Sequence, residues 1–464
     1  MVFRRTFMAS LLMTLFVFSA LTMTQDFVQA QSLPPNKSDA PTLIWEQYYE
    51  NMASRWTDSI KFICQNDEDY ILVASNDPHY YVSSVVLLNV NSSGSLLWHK
   101  RYLIAGSSGF AQTSDGGFVI AGALERVNPD FPWTPVGVEA IVLIKADDEG
   151  NMQWNRTYPH EELSSMTQTK DSGFVLVGTE QTSSNGISSA WVLKTDSRGK
   201  VQWNTTIDGL WRYGKLMQMT QTYDGGYAIV GHKYFDNGTY ISSGEGSLVV
   251  LKLDSNGKLL WNKTINSGIS NGSQKTIIQT SDEGYILTDS VGPTQIPTVV
   301  KIDSAGNVKW SRTYGMRGAL DAVTQTSDGG LVFAGNLIEY SGYGHIWIVK
   351  TDSAGKVEWN QTFGGQKYIQ NGYRSQCVIQ AHDGTLMVGG VWVRSESIAD
   401  YYLAKIDSGL PTPTPAPAPS IANPSSTTSN SGNLALAVIL ALIATAVTIG
   451  LAAYLKKENR PKSA

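Results

Sequence analysis

The stretch QTSDGGFVIAG at residues 112–122 occurs again, almost unchanged, as QTYDGGYAIVG at 221–231 and as QTSDGGLVFAG at 325–335. In each copy an Asp/Gly turn separates two short runs, a pattern that predicts a tight β-hairpin. A turn aspartate is needed in every hairpin, whereas a catalytic acid is needed once, so the repetition indicates a structural role. Weaker copies lie between these three, and the aspartates of the whole series are Asp115, Asp171, Asp224, Asp282, Asp328 and Asp383.

A second repeated phrase has the form Asp-x-x-Gly-x-x-x-Trp, as in KTDSRGKVQW at 194–203 and KIDSAGNVKW at 301–310. An apolar run precedes it, and the residues two and four after the glycine are apolar, which is the alternation of a strand. The phrase therefore predicts a second hairpin in each unit. Its tryptophans recur every 49 to 58 residues, a period typical of propellers and other repeat arrays, and they are Trp45, Trp98, Trp154, Trp203, Trp261, Trp310 and Trp359.

Each unit thus contains two hairpins, and four-stranded antiparallel sheets repeated around an axis are the blades of a β-propeller. The seventh unit ends its third strand in DYYLAKIDSG at 400–409 and then runs into proline, so its fourth strand is missing. TLIWEQYYE at 42–50 supplies a strand whose Trp45 aligns with the other tryptophans. We therefore predict an all-β, seven-bladed β-propeller over residues 42–409, in which the N-terminal strand completes the last blade.

The Asp-x-x-Gly-x-x-x-Trp ending resembles the blade motif of quinoprotein-like (PQQ-like) propellers. The whole unit is similar to the SDGGY…KLDSNGxLLW repeats of secreted microbial propellers that generally lack an assigned activity, and this resemblance covers residues 42–409. Quinoprotein dehydrogenases usually have eight blades, one more residue between the Asp and the Gly, and a vicinal cysteine pair near the cofactor, none of which this sequence contains. The resemblance therefore implies a fold but no catalytic residues, and no cofactor is predicted.

Composition and charge indicate a folded protein and argue against nucleic-acid binding. The chain has 464 residues, of which 42% are hydrophobic and 16% are charged, so it can bury a sizeable core. Its formal net charge is only −5, and the body contains no long basic run of the kind that marks nucleic-acid-binding proteins. The composition therefore predicts a mostly folded protein that does not bind nucleic acid.

Both ends of the chain are predicted to be targeting segments. Two arginines, an apolar stretch and a small-residue end predict a signal peptide cleaved after Ala30, with an uncleaved anchor helix as the alternative. The uncharged run 434–455 is long enough to cross a membrane, and the basic residues after it place the tail in the cytoplasm and the body outside the cell. The predicted segments are a signal peptide at 1–30, a leader at 31–41, the propeller at 42–409, a Pro/Thr/Ser-rich stalk at 410–433, a single transmembrane helix at 434–455 and a cytoplasmic tail at 456–464.

The units differ most in the connections between their second and third strands and between neighbouring units. In an up-and-down blade these connections share one face, and the short Asp/Gly turns share the other. The long connections carry aromatic residues, which suit glycans, peptides or partner proteins. We therefore predict an extracellular binding or scaffolding module, with packing of the rings back over the blades as the alternative. The predicted ligand-binding residues are Trp133, Trp211, Tyr213, Tyr234, Tyr340, Tyr343 and Tyr368.

Two enzymatic functions stay open as alternatives. A glycoside hydrolase or lyase would need two carboxylates that converge on the variable face, and Glu125, Asp130, Glu245 and Glu339 are the candidates. A quinoprotein-like oxidoreductase would need a basic and aromatic pocket at the axis. Calcium bound at some blades is the alternative to a purely structural role for the repeated aspartates. The lysines that recur in the same way are also predicted to be architectural, and they are Lys145, Lys194, Lys252, Lys301, Lys350 and Lys405.

Two covalent modifications are consistent with an extracellular body. Cys64 and Cys377 fall in the first strands of the first and seventh units, which are neighbours in a closed ring, so a disulfide would lock the seam. The alternative is that the inner strands hold the two sulfurs too far apart. Four Asn-x-Thr sequons directly follow a blade tryptophan, where glycosylation and a simple strand preference for Asn and Thr both fit. Their asparagines are Asn155, Asn204, Asn262 and Asn360.

Overall fold

The computed structural model describes residues 28–31, 41–50, 59–76, 83–127, 135–160, 162–181, 187–212, 214–234, 246–270, 276–291, 296–315, 317–338, 344–363, 373–395 and 398–413. The chain divides into two compact units, Met1–Pro413 and Thr414–Ala464. The second unit lies outside the described residues, and so do the predicted transmembrane helix and the first 27 residues. Every regular element among the described residues is a β-strand, and none of these residues forms a helix that could cross a bilayer.

The strands follow one another in sets of four. Two strands precede the first set, β1 (Val28–Gln31) and β2 (Thr42–Tyr49). The first three sets are β3 (Ser59–Asn66), β4 (Asp69–Asn76), β5 (Ser84–Val90) and β6 (Leu96–Tyr102); β7 (Ala105–Gln112), β8 (Phe118–Val127), β9 (Pro135–Ala146) and β10 (Met152–Tyr158); and β11 (Ser165–Gln168), β12 (Phe174–Gln181), β13 (Ile187–Thr195) and β14 (Val201–Arg212).

The remaining sets repeat this organisation, and the last of them has only three strands of its own in sequence order. They are β15 (Gly214–Gln221), β16 (Tyr227–Tyr234), β17 (Gly246–Leu253) and β18 (Leu259–Ser270); β19 (Ile277–Gln279), β20 (Tyr285–Val291), β21 (Ile296–Ile302) and β22 (Val308–Tyr314); β23 (Gly318–Gln325), β24 (Leu331–Ile338), β25 (Gly344–Thr351) and β26 (Val357–Phe363); and β27 (Tyr373–Gln380), β28 (Leu386–Ser395) and β29 (Ile398–Asp407).

The N-terminal strand β2 completes the seventh set, as the sequence predicts. It pairs antiparallel with β29, in a register that runs from Thr42 opposite Asp407 to Tyr49 opposite Tyr401. The strand order of this set is therefore β2-β29-β28-β27. The other sets use four consecutive antiparallel strands, and one-residue bridges join the second set to the third and the fourth to the fifth. The fold is all-β and propeller-like, and the predicted pairing of the N-terminal strand with the last unit is confirmed.

The short strand β1 lies beside the fifth set. It runs parallel to β22, with Val28 opposite Ser311 and Gln31 opposite Tyr314. The predicted cleavage after Ala30 falls inside this strand, so removal of the signal peptide would leave only Gln31 of it. Cleavage itself stays a prediction.

The core lies between neighbouring sets. Successive side chains of a strand point to opposite faces, so Ile71 and Val73 of β4 pack toward the second set, whereas Leu72 and Ala74 pack toward the seventh. The described residues form seven such clusters, each shared by two successive sets or by the seventh and the first. Because the second and third strands are buried on both faces in their central parts, they contain continuous apolar runs such as VVLL at 85–88.

Aromatic residues of each fourth strand contact the following set. In β6, Trp98 packs on Gly150 of the next set, and the Tyr102 hydroxyl donates a hydrogen bond to Gly150 O at 2.6 Å. Gly150 has φ +75°, and a Cβ there would lie 3.0 Å from the Trp98 ring and 2.8 Å from Lys100. A side chain would therefore be strained and would clash. The Trp of the repeated phrase in one set thus packs on the Gly of the repeated phrase in the next set.

The glutamine that opens the repeated QT-x-DGG phrase also bonds to a neighbouring set. Gln221 Oε1 accepts the Lys170 N–H at 3.1 Å, which links the fourth set to the third. Gln65 Oε1 accepts the His382 N–H at 2.8 Å, which links the first set to the seventh. This position recurs because it makes the same contact at several interfaces, and the further examples are Gln279 with Tyr223, Gln325 with Ser281 and Gln380 with Ser327.

Candidate functional site

The body has two chemically different ends. We call the end that carries the short turns, between the first and second and between the third and fourth strands of each set, the turn face. We call the opposite end, where the second strands end and the third strands begin, the loop face. The repeated polar residues lie on the turn face, and the predicted ligand-binding residues are expected at the loop face.

On the turn face the repeated aspartates and lysines pair with each other. In the fourth set Lys252 Nζ lies 2.9 Å from Asp224 Oδ2 and donates to Leu253 O at 3.0 Å, and the Thr222 hydroxyl donates to Asp224. Lys252 is 4% exposed, so Asp224 supplies the counter-charge that a buried ammonium needs. The equivalent pairs are Asp115–Lys145, Asp171–Lys194, Asp282–Lys301, Asp328–Lys350 and Asp383–Lys405.

Backbone conformation explains the first glycine of the DGG turn, and the buried lysine explains the second. Gly225 has φ +82°, in the left-handed region that favours glycine. A Cβ on Gly226 would lie 2.6 Å from Lys252 Nζ and would also clash with Leu253 O. The repeated Thr-x-Asp-Gly-Gly phrase and the distant lysine therefore form one structural unit, which supports an architectural role for both series.

The second series of aspartates, in the turns between third and fourth strands, binds backbone donors. Asp254 Oδ1 accepts the N–H groups of Asn256 and Lys258, each at 2.9 Å. Asn91 takes this place in the first set and accepts the Ser95 N–H at 2.9 Å. Nowhere in the described ranges do three or more His, Cys, Asp or Glu side chains gather as a metal site would require. Calcium binding at these turns stays an alternative that rests on the sequence alone.

Replacing Asp224 by Asn is expected to lower the free energy of unfolding at pH 7 by about 1–2 kcal/mol, because Lys252 stays buried without its counter-charge. The cost is smaller than for a fully buried pair because 60% of the Asp224 side chain is exposed and solvent screens its charge. Urea unfolding of the wild type, Asp224→Asn and the exposed turn control Asp148→Asn measures this difference.

The difference in the free energy of unfolding between the wild type and Asp224→Asn should depend on pH. Burial raises the pKa of Asp224, but hydrogen bonds from Thr222 and Lys252 outweigh burial and bring the pKa down to about 2, from an ordinary value of 3.8. A carboxylate with a lowered folded-state pKa stabilises the fold above its unfolded pKa and loses this contribution as the pH falls through the folded pKa. The wild type and Asp224→Asn should therefore converge between about pH 4 and pH 2. A gap as large at pH 2 as at pH 7 would contradict a charge contribution.

The structure describes two of the seven predicted ligand-binding residues, through their backbone. Trp211 lies near the end of β14, opposite Ser188, and Tyr234 ends β16, opposite Gly246. Both positions are at the loop face, in the third and fourth sets. The predicted residues outside the described ranges are Trp133, Tyr213, Tyr340, Tyr343 and Tyr368.

Of the carboxylates considered for glycoside chemistry, Glu125 is the one within the described residues. Its Oε2 accepts the Ser83 N–H at 3.0 Å, and its Oε1 accepts the Ser83 hydroxyl at 3.1 Å. Glu125 belongs to β8 of the second set and Ser83 precedes β5 of the first, so this carboxylate joins two sets. The contact favours a structural role for Glu125. The candidates Asp130, Glu245 and Glu339 lie outside the described residues.

Two charged residues on the first strands, Lys61 and Asp321, were not predicted from the sequence. Lys61 of β3 and Asp321 of β23 each lie four residues before the repeated glutamine, Gln65 or Gln325, and a β-bulge falls at each. Bulges re-aim a side chain out of the ladder. Burial lowers the pKa of Lys61, and the negative charge of Asp321 partly offsets this. The fourth set has Met217 at the corresponding position. A charged residue at this position of the first and sixth sets was the sequence signal that could have identified Lys61 and Asp321.

The structure does not join Cys64 to Cys377, the pair considered for a seam disulfide, and both are free thiols. Cys377 Sγ lies in the cluster shared by the seventh and first sets, 3.7 Å from Ile60 O and 3.6 Å from Gly389 O. Cys64 packs instead against the cluster shared by the first and second sets. The two thiols therefore face different interfaces, and neighbouring strands alone do not bring sulfurs into bonding distance.

The four sequons after the blade tryptophans lie on fourth strands. Asn155, Asn204 and Asn262 are exposed. Asn360 is partly buried, and its Oδ1 accepts a hydrogen bond from Trp347 Nε1 at 3.4 Å. Exposure at the first three positions is compatible with glycosylation and with a strand preference alike, so glycosylation stays a prediction, with Asn360 the least accessible of the four.

No known protein family and no curated protein matches this chain. Solved structures do: a protein of unknown function from Dyadobacter fermentans DSM 18053 is 11% identical over 79% of this chain and 99% of its own, with a TM-score of 0.50. A protein of unknown function from Bacteroides caccae is 14% identical over 60% of this chain and 90% of its own, with a TM-score of 0.39. A streptogramin B lyase is 12% identical over 78% of this chain and 97% of its own, with a TM-score of 0.45. Similarity at such low identity concerns the fold and carries no function to this chain.

Proposed function

We propose that this chain is a secreted seven-bladed β-propeller, anchored to the cell membrane by segment 434–455, that binds an extracellular glycan, peptide or protein through its loop face. The blade count is supported by the strand sets and their shared cores. Each set packs on the next, and the seventh packs on the first. An array whose last unit packs on its first is a closed ring with few free sheet edges. The PQQ-like resemblance of the repeated phrase agrees with this architecture.

The observation that carries the proposal is the use of the repeated polar residues. The aspartates and lysines of the turn face neutralise one another, and the glutamines bond to neighbouring sets. The sets differ most in the long connections at the loop face. Binding residues commonly lie on such variable loops, held in place by a rigid scaffold. We infer that the repeated residues build the scaffold and that the variable connections supply the ligand contacts.

Binding rather than catalysis is favoured by the sequence-predicted candidates that lie within the described residues, one carboxylate and two aromatic residues. Both oxygens of Glu125 accept hydrogen bonds from Ser83. In contrast, Trp211 lies near the end of β14 and Tyr234 ends β16, both at the loop face. Aromatic rings offer a large contact area with a polar handle, which suits sugars and peptide side chains. No cofactor is needed for this function, and nucleic acid is not proposed as a ligand.

A glycan and peptide array tests the proposal, with the full-length chain in nanodiscs as the probe. The variant combines Trp133→Ala, Trp211→Ala and Tyr343→Ala, and we expect it to bind the array ligand at least about tenfold more weakly, since one lost aromatic anchor commonly costs that much. Tyr223→Ala is the matched control, because Tyr223 is exposed in a turn on the opposite face.

Three results would count against loop-face binding. The triple variant could bind as well as the wild type, Tyr223→Ala could lose as much affinity as the triple variant, or a cooperatively folded wild type could bind nothing on the array. Release of sugar from a bound glycan would instead favour the glycoside hydrolase or lyase alternative, in which carboxylates of the same loops would act.

A further inference from the structure

The described part of the turn face carries a group of exposed apolar side chains. Nine large hydrophobic residues are exposed in the described part of the chain, and eight of them lie at the turn face. Leu103, which follows β6 at the loop face, is the exception, and Tyr223 occupies a turn. The other seven lie at the start of fourth strands, directly before or two residues before the blade tryptophan, and they are Leu43, Ile44, Leu96, Leu97, Met152, Val201 and Leu260.

These seven residues, which we call the apolar arc, come from sets that are neighbours of one another. They belong to the fourth strands β2, β6, β10, β14 and β18, that is, to the seventh, first, second, third and fourth sets. The fifth and sixth sets break the arc, because the residues directly before their tryptophans are the charged Lys309 and Glu358, both exposed. At the starts of the fourth strands, the rim of the turn face therefore exposes large apolar side chains in five sets and charged side chains in the other two, beside exposed turn lysines such as Lys200 and Lys258.

The chain also leaves the body at the turn face. Strand β29 ends at Asp407 at that face, and the residues after it cross the first turns of the sixth and seventh sets. There Pro411 O accepts hydrogen bonds from the Ser327 hydroxyl at 2.6 Å and from Gln380 Nε2 at 3.0 Å. The described residues end at Pro413, so only the 20 residues 414–433 separate this face from the predicted membrane segment 434–455.

We propose that the apolar arc rests on the surface of the bilayer in which the chain is anchored, so that the turn face is directed toward the membrane and the loop face away from it. This inference rests on the membrane anchor of the proposed function. A short tether between the body and its membrane anchor raises the local concentration of the turn face at the bilayer, so weak contacts suffice to hold the turn face there. A tether of 20 residues reaches at most ~70 Å when fully extended, which keeps the arc near the bilayer.

The chemistry of the arc fits an interfacial contact. Its side chains stand one or two per set on the rim, which suits shallow insertion among lipid headgroups. Each of the five strands adds a half-buried tryptophan beside the exposed apolar residue, and tryptophan favours the boundary between headgroups and acyl chains. The charged residues Lys309 and Glu358 would stay in water on the side of the body that is raised from the membrane.

Four reporter positions test the orientation in the full-length chain, reconstituted as one copy per nanodisc. Leu97→Cys, Leu260→Cys and Lys309→Cys occupy the same place, directly before a blade tryptophan, but the third lies outside the arc. Leu103→Cys is the control on the loop face, since Leu103 is 68% exposed and Leu97 52%. Each variant carries an environment-sensitive fluorophore, and wild type treated with the same reagent measures any labelling of Cys64 and Cys377.

With phosphatidylcholine brominated on its acyl chains, we expect quenching at residues 97 and 260 and none at 309 and 103. Equal quenching at all four positions, or none at 97 and 260, would overturn the inference. A third outcome would also overturn the inference. If fluorescence at residue 97 changed with chain concentration in detergent but was not quenched by lipid in single-copy discs, a second copy of the chain would cover the arc. Carbonate-resistant flotation of the same samples tests the membrane anchor, and array binding by the discs tests ligand binding at the loop face. Failure of the anchor, of ligand binding or of the proposed orientation can therefore be distinguished.

Discussion

A chain that lacks residues 31–50 is expected to lose its cooperative unfolding transition and to aggregate. The deletion removes β2, the fourth strand of the seventh set, and so frees the edge of β29. It also removes contacts with the first set, because the Tyr49 hydroxyl donates to Gly94 O at 2.8 Å and Trp45 Nε1 donates to Ser92 O at 3.1 Å. An open strand edge beside exposed apolar surface favours pairing between molecules.

Complementation with a synthetic peptide makes this prediction specific. Thermal unfolding and light scattering would compare the full-length chain with the truncated chain, alone and mixed with a peptide of residues 41–50. We expect the peptide to restore a cooperative transition and a peptide with Trp45→Ala and Tyr49→Ala to fail. A truncated chain that melts at the same temperature as the full-length chain would refute the closing role of β2.

Replacing Tyr314 by Ala is expected to lower the free energy of unfolding by about 3–5 kcal/mol, the usual cost of removing a buried aromatic ring. Tyr314 is 0% exposed, its ring lies 6.0 Å from that of Phe333, and its hydroxyl donates to Gly355 O at 2.8 Å. It therefore joins the fifth and sixth sets by packing and by a hydrogen bond. Tyr314→Phe keeps the ring and loses only the bond, so it should cost about 1 kcal/mol.

Urea unfolding of the two variants and of Tyr223→Ala separates these contributions. Tyr223 is exposed, so its replacement should change the free energy of unfolding by less than about 0.5 kcal/mol. The hydroxyl is not needed at every interface, since the corresponding residues of the third, fourth and sixth sets are Ile207, Ile265 and Phe363. If Tyr314→Ala were as stable as Tyr314→Phe, packing of this ring would not hold the two sets together.

The hairpins and the closing strand could be predicted because both depend on local patterns. Alternation of apolar residues and the Asp/Gly turns define each strand within a few residues of sequence. The position of Trp45 in the repeated phrase was sufficient to align β2 with the other fourth strands, and the structure places Trp45 opposite Lys405.

The partners of the repeated polar residues could not be predicted in this way. Asp224 and Lys252 are 28 residues apart and belong to different hairpins of one set, and Gln221 bonds to Lys170 of the preceding set. Their equal spacing along the chain shows that each is repeated, but not that they meet. The same limit applies to Cys64 and Cys377, whose sets are neighbours although their thiols face different clusters.

By itself, the sequence determined the all-β class, the four-stranded units and the strand that completes the seventh set, because period, alternation and turn chemistry are properties of short stretches. The tertiary structure alone decided which charges neutralise each other, which interface each thiol faces, and which apolar residues stay exposed on the rim of the turn face. These features depend on distance and orientation across the interfaces between sets, and short stretches of sequence do not encode them.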